Sequence, residues 1–376
     1  MTNTADIFSP VRLGDLELSH RLVMAPLTRN RAAADGTPTE LMATHYAQRA
    51  GAGLLIAEGT TPNQVGQTYP NIPGLYTDSQ VAGWRRVTDA VRAEGGRMFV
   101  QIQHGGRVSH PDNSGRTPVS ASAVAQPETV HTANGLQDAV VPHALTLAEI
   151  ADTISDYVAA ARNAIDAGFA GVEIHSANGM LPHQFLAGNT NQRSDRYGGS
   201  IENRIRFTVE VVTAVADAIG AERVGVRFYP GGTVNSIVET DTEALYSALV
   251  TALAAEHLAY LHLVNADPKS PIFQQIRRIW PGKLIANPNL GWGMPLPEDG
   301  GRQAALDLLA AGADLISLGR AFIANPDLVE RLRTGAPLNR LRDEPLMYVG
   351  GENGYNDYPT LAESAAARSE ASSVAA

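Results

Sequence analysis

The chain of 376 residues contains no cysteine, which excludes disulfides, thiolate zinc sites and iron–sulfur clusters. It has no apolar run long enough to span a bilayer. The opening Met1-Thr-Asn-Thr-Ala-Asp-Ile-Phe8 lacks a basic region followed by an apolar core, so it does not read as a signal peptide. Long single-sign charge blocks are missing as well. Lys and Arg number 29 against 39 Asp and Glu, and the formal charge of −10 is spread along the chain. This argues against a nucleic-acid or membrane partner and makes the cytoplasm the expected location. No close carboxylate pair of the glycosidase type and no metal-ligand cluster stands out. No internal sequence repeat is visible.

Hydrophobic residues make up 44 % of the chain, ample for a large core. Short apolar runs alternate with longer helical patterns. The strands are expected at Leu22–Ala25, Gly53–Ala57, Met98–Ile102, Ala170–Ile174, Val224–Phe228, Ala259–Leu263, Lys283–Ala286 and Leu315–Leu318. Helices are expected at Thr39–Ala50, Asp78–Glu94, Leu147–Ala167, Ser200–Ile219, Asp241–Ala255, Pro271–Ile279, Arg302–Ala311 and Asn325–Arg333. This alternation of buried-type strand and helix predicts an α/β fold, a single-domain (β/α)8 TIM barrel over residues 1–361. Val11–Leu18 reads as an N-terminal β-hairpin cap on the barrel bottom, and His104–His143 as a long excursion after strand three. Residues 362–376, rich in Ala and Ser, are expected to form a frayed tail.

The active site of such a barrel lies at the C-terminal ends of its strands. Pro26, Leu27 and Thr28 follow strand one, and Glu58, Gly59 and Thr60 follow strand two. Strand three carries Gln101 and leads into Gln103 and His104, and strand five carries Arg227. The last two strands run into Asn287-Pro-Asn289 and Gly319-Arg320. A ring of small residues, amides and arginine suits a flat, polar-edged, phosphorylated cofactor better than a metal. Strand four ends in Gly171-Val-Glu-Ile-His-Ser-Ala-Asn-Gly-Met180. His175 and Asn178, three residues apart in a glycine-containing turn, can aim two hydrogen-bond donors at one carbonyl or nitro oxygen. A lone histidine there would read as an ordinary loop residue; the ring around it favours function. After strand eight, Gly319 permits close backbone approach and Arg320 brings charge, as a phosphate site needs. His104 reads as support for the excursion and His183 as a structural residue. The alternative is a metal-dependent hydrolase built on His104, His175 and His183.

Several segments together resemble the Old Yellow Enzyme family of flavin-dependent ene-reductases. They are Phe8-Ser-Pro-Val-Arg-Leu-Gly14, Met24-Ala-Pro-Leu-Thr-Arg-Asn-Arg31, Ala57-Glu-Gly-Thr60, Val100-Gln-Ile-Gln-His-Gly-Gly-Arg107, the strand-four decapeptide, Asn191–Arg204 and Met347-Tyr-Val-Gly-Gly-Glu-Asn-Gly-Tyr-Asn-Asp-Tyr-Pro359. The likeness runs from Phe8 to about Leu361, and Thr28 favours the classical branch. The resemblance implies non-covalent FMN, reduced by NADH or NADPH, and hydride delivery to an alkene conjugated to a carbonyl or nitro group. It implies cofactor contacts at Pro26, Leu27, Thr28, Ala57, Gln101, His175, Arg227, Asn289, Gly319 and Arg320. His175 and Asn178 would bind the activating oxygen, and Tyr69, Gln103, Met180 and Tyr348 would line the substrate side. Monomers and homodimers both occur in the family.

Four departures stand out. Met180 replaces the usual proton-donating tyrosine, and a thioether cannot deliver a proton. The α-carbon proton would then come from water, Tyr69 or Tyr348, or the substrates would be nitro compounds or nitrate esters that need none from this position. Gln103 stands where tryptophan is common, which should open that wall. Tyr229-Pro-Gly-Gly232 and Asn287-Pro-Asn289 differ from the usual turns beside the cofactor.

Overall fold

Strand sequences such as Tyr260-Leu-His-Leu263 alternate two sets of side chains, and a barrel has use for both. In the computed structural model, which describes residues 6–291 and 293–366, Val23, Leu54, Ile56, Phe99, Tyr260, Ile285 and Leu315 pack in one inner cluster. Their neighbours Leu22, Met24, Leu55, Val100, Leu261, Leu284 and Ile316 pack in the larger cluster formed with the helices. The barrel strands are Leu22–Met24, Leu54–Thr60, Met98–Ile102, Gly171–Ser176, Val224–Phe228, Tyr260–Ala266, Leu284–Pro288 and Leu315–Leu318. They are parallel, follow chain order and close from the eighth onto the first. The expected (β/α)8 barrel is the fold.

Val11–Leu13 pairs antiparallel with Leu16–Leu18, and Val11, Leu13 and Leu18 join the inner cluster. The hairpin therefore plugs the N-terminal end of the barrel. Its turn needs Gly14, at φ +53°, because a Cβ there would lie 2.5 Å from the Glu222 carbonyl oxygen. The excursion after strand three holds a short helix (Pro111–Ser114) and a hairpin pairing Val130–Thr132 with Gly135–Gln137.

The barrel helices agree with expectation apart from their ends. Thr146 caps Leu147–Asp166 in a reciprocal box with Glu149. Asp241 does not cap Thr242–Leu253; its carboxylate pairs with Arg204 instead. The final helix differs most. A short helix at Arg320–Ala324 follows strand eight directly, and a second spans Leu328–Thr334. Pro326 is the reason: it disfavours helical backbone at the residue before it, and Asn325 is extended at φ −131° and ψ 96°. At the C-terminus, residues 361–366 are helical, with Thr360 and Glu363 bonded reciprocally. The rest of the expected tail lies outside the described residues.

Two arginines from the loop after strand one hold the C-terminal segment over the barrel mouth. Arg29 donates to the carbonyls of Met347 and Gly354, both at 2.9 Å. Arg31 donates to Leu346, Met347 and Val349. Both guanidinium groups lie over the buried Tyr355 ring, at 4.7 and 4.8 Å. His45 stacks on that ring at 3.9 Å. Burial, with Arg49 and Arg29 nearby, holds the His45 pKa well below the ordinary histidine value. Neutral His45 can then donate from Nδ1 to the Tyr355 carbonyl and accept from Arg29 at Nε2. Tyr348 is positioned through these anchors. Replacing Tyr355 by alanine should cost about 3–5 kcal/mol, the usual range for truncating a buried aromatic. Urea unfolding measures it, and a loss below about 1 kcal/mol would show that the ring does not hold this segment.

Candidate active site

Strand register brings the key side chains together. His175 lies opposite Arg227, Arg227 opposite His262, and Glu173 opposite Gln101. Each sits above the apolar inner cluster, at the C-terminal side of the barrel.

Arg227 is 6 % exposed. Its Nη2 donates to Asn287 Oδ1 at 3.4 Å, and its Nε has no partner. Burial lowers its pKa, against the opposing fields of Glu173 and Tyr260. A guanidinium stays charged under such conditions, so this is a buried cation short of hydrogen-bond acceptors. His175 is buried, with an unpartnered Nδ1. Burial first, and Arg227 second, push its pKa down to about 3. At neutral pH it is therefore an uncharged ring with one N–H to donate. Asn178 adopts left-handed backbone, φ 53°, and its carbonyl accepts from Asn235 Nδ2 at 2.8 Å. This fixes the turn carrying both strand-four donors. The following Gly179 is required, because a Cβ there would meet Asn235 at 2.6 Å.

The other expected site residues divide into two groups. Gln101 is buried and donates to Glu173. Pro26 is buried, Leu27 and Thr28 are half-buried, and Gly319 approaches Leu27 so closely that a Cβ would lie 3.0 Å from it. Met180 is 2 % exposed and opens the short helix Leu181–Leu186. Tyr69 lies near enough to Tyr348 to add to the rise in its pKa. Burial raises both, Tyr348 to about 12, so both keep their protons at neutral pH. Ala57 packs its side chain in the outer core, leaving backbone as its contribution to the mouth. Three residues are used differently from expectation. Gln103 is 3 % exposed and donates to Thr68, packed where Gly59 lacks a side chain. Asn289 is exposed and caps its own turn at Gly291; Asn287, two residues earlier on the same strand face, reaches Arg227. Arg320 donates to the carbonyls of Leu290, Gly291 and Met294, clamping the loop after strand seven.

The three histidines of the metal alternative do not converge. His183 bonds Glu239 at 2.9 Å, and His104 accepts from the Gly106 N–H. Among the described residues no group of three metal-binding side chains exists.

A buried arginine and a neutral histidine with unsatisfied nitrogens, amides around them and a glycine-led helix start after strand eight suit a polar-edged, phosphorylated ring. FMN fits this donor set. Fold and site define a flavin-dependent oxidoreductase on a TIM barrel. The chain belongs to the NADH:flavin oxidoreductase / NADH oxidase family, whose model matches residues 6–339. It is thus an FMN enzyme of the Old Yellow Enzyme group that takes electrons from a reduced nicotinamide.

A "probable flavin mononucleotide-dependent alkene reductase" of Leishmania infantum is 42 % identical over 367 residues, covering 94 % of this chain and 97 % of the relative. The 12-oxophytodienoate reductase 1 of Oryza sativa subsp. japonica is 40 % identical, covering 95 % and 93 %. Among solved structures, the Old Yellow Enzyme homologue from Zymomonas mobilis superposes with TM-score 0.89 at 39 % identity, covering 95 % of this chain and all of that one. Morphinone reductase gives 0.88 at 42 %, covering 96 % and 98 %. No helix among the described residues is long and apolar enough to cross a membrane.

Glu173, His262, Ser317 and Asn235 were not among the residues the sequence singled out, and Asn287 was noted only as part of a turn. A signal was present for the first two: each is a polar residue inside an apolar strand, and Glu173 shares the two-residue period of His175.

Burial lowers His104 and His175 to about 3 and His262 to about 4. The unfolded chain binds these protons near pH 6.5 and the folded one does not, so stability falls as pH drops below 6.5. Each group contributes about 1.4 kcal/mol between pH 7.5 and 5.5, roughly 4 kcal/mol together. Urea midpoints at the two pH values measure this, and equal midpoints would contradict neutral buried histidines.

Proposed function

We propose that this enzyme reduces C=C bonds activated by a carbonyl or nitro group, with His175 and Asn178 holding the activating oxygen. The observation that carries the reading is the pair of strand-four donors beside Arg227: a neutral histidine with a free nitrogen and an asparagine held in a left-handed turn. Bound FMN supplies the hydride chemistry, accepting from NADH or NADPH and delivering to the β-carbon of the alkene. Pro26, Leu27, Thr28, the Ala57 backbone, Gln101 and Arg227 would hold its ring. Arg227 favours negative charge on the pyrimidine edge, having no carboxylate within salt-bridge distance and only the field of Glu173 to offset it. The N–H groups at the start of Arg320–Ala324 would receive the phosphate, with Gly319 allowing approach and Arg320 and Asn289 shaping the loop beside it.

His175 and Asn178 do their work as negative charge builds on the substrate oxygen. Donors already in place for that charge need no rearrangement during reaction. Because His175 is neutral, it donates without surrendering a proton and holds the same state throughout the physiological pH range. Met180 cannot protonate the α-carbon. Tyr69 and Tyr348 both carry phenolic protons at neutral pH, and solvent is the other source. A small-molecule electrophilic alkene is the substrate class.

The test is anaerobic. NADH or NADPH should bleach the purified yellow protein, and 2-cyclohexenone should restore its colour. His175→Ala should slow the second step about 10²–10³-fold, the range for loss of one preorganised donor. Bleaching without enone-dependent recovery would defeat the proposal.

A second reading, reduction of nitro compounds or nitrate esters, is favoured by Met180 alone, since such acceptors need no proton from that position. Met180→Tyr distinguishes the two. Faster enone-dependent recovery supports alkene reduction limited by protonation, whereas unchanged enone recovery with faster reaction of a nitrate ester in the parent protein supports the second reading.

A further inference from the structure

Below the proposed flavin seat runs a line of buried polar contacts that the chemistry above does not use. Gln101 Nε2 donates to Glu173 Oε1 at 2.7 Å. Glu173 Oε2 lies 2.7 Å from His262 Nδ1, and His262 Nε2 lies 2.7 Å from Ser317 Oγ. The Ser317 carbonyl accepts from Asn287 Nδ2 at 2.8 Å, and Asn287 Oδ1 is the acceptor facing Arg227. Glu173, His262 and Ser317 are 0 % exposed. The line begins at Gln101 and ends at Arg227, the two side chains proposed to meet the same edge of the flavin.

One negative charge fixes the orientations from Gln101 to the Ser317 hydroxyl. A carboxylate only accepts, so Gln101 must present its Nε2 to Glu173, which leaves its oxygen for the cofactor. Burial and Arg227 hold His262 near pKa 4, so the ring is neutral. It must then donate from Nδ1 and accept the Ser317 hydroxyl at Nε2. Burial alone would raise Glu173, but His262, Arg227 and Gln101 outweigh it and keep the carboxyl below its ordinary range. An ionised carboxylate in this interior needs Arg227 nearby, and Arg227 is offset by it in turn.

We propose that Glu173 is a positioning residue for the flavin: it turns the Gln101 oxygen toward the cofactor and offsets part of the Arg227 charge, so setting how strongly the protein favours reduced FMN. This rests on the flavin seat proposed above. Reduction adds electron density to the ring, which Arg227 favours and Glu173 opposes. Glutamine at 173 would remove the opposing charge and also offer an amide N–H to Gln101, which must then rotate its own N–H₂ toward the flavin.

The experiment compares reduction potentials of the FMN-loaded wild type, Glu173→Gln and Arg227→Gln by anaerobic dye equilibration, and FMN affinities by fluorescence titration of the apoproteins. Glu173→Gln should raise the affinity ratio of reduced to oxidised FMN about tenfold, the scale of one unit charge acting over roughly 12 Å at an effective dielectric near 20. That is an upward shift of about 30 mV for a two-electron couple. It should also bind oxidised FMN more weakly than the wild type. Arg227→Gln should shift the potential down. If Arg227→Gln lowers the potential and Glu173→Gln leaves it unchanged, the role of Glu173 is overturned while the seat stands. If Arg227→Gln leaves it unchanged, the seat itself is wrong and the inference falls with it.

Should Glu173→Gln not fold, His262→Leu, which has no donor, tests the same charge. The groups facing Glu173 are Gln101 from strand three, His175 on its own strand, Arg227 from strand five, and Tyr260 and His262 from strand six. Loss of the His262 donor should let the Glu173 carboxyl rise, adding a proton-linked break to the plot of potential against pH. A plot superimposable on that of the wild type would overturn the proposal.

Discussion

The mouth of this barrel depends on a buried cation that the protein leaves partly unsatisfied. Arg227 comes from near the C-terminal end of the parallel strand Val224–Phe228, where neighbouring backbone is still committed to the ladder and cannot turn to meet it. Desolvating a guanidinium costs several kcal/mol unless charge and hydrogen bonds compensate. Here Glu173 gives charge and Asn287 gives one long contact, yet Nε stays orphaned. Such a deficit is tolerable in a stable enzyme when a bound group completes it, and FMN is the cofactor of this family.

The rest of the fold supplies the rigidity that this arrangement requires. The apolar inner cluster and the hairpin plug close the lower half of the barrel, leaving its upper half to polar side chains. The Arg29 and Arg31 anchors bring the C-terminal segment back across the mouth, delivering Tyr348 from far along the chain. Asn235 ties the loop after strand five to the Asn178 turn. Low dielectric then strengthens every donor left free, which is what the proposed oxygen clamp of His175 and Asn178 requires.

Much of this was legible in the residues. The barrel followed from short apolar runs alternating with helical patterns, because period and length are local properties. That His175, Asn178 and Arg227 gather at the barrel mouth was legible because they stand at the C-terminal ends of expected strands. What was hidden depended on three-dimensional partners. Asn289 and Asn287 look equivalent in sequence, and only the partners around the turn distinguish the one that caps Gly291 from the one that reaches Arg227. That Gln103 packs against Gly59 and bonds Thr68 could not be read from its size alone. The split of the last helix was in principle readable from Pro326. The Glu173–His262–Ser317 line joins three strands that lie far apart in sequence, and no spacing rule connects them.

The central claim is that Arg227, Gln101, His175 and Asn178 form one polar face divided between cofactor and substrate. A crystal structure of the FMN-loaded protein soaked with 2-cyclohexenone measures this directly. The account predicts the pyrimidine edge of the flavin against Arg227 and the Gln101 oxygen, with the enone carbonyl within hydrogen-bond distance of both His175 and Asn178. A carbonyl directed at Tyr348 or solvent, or a flavin edge that leaves Arg227 unpartnered, would contradict it.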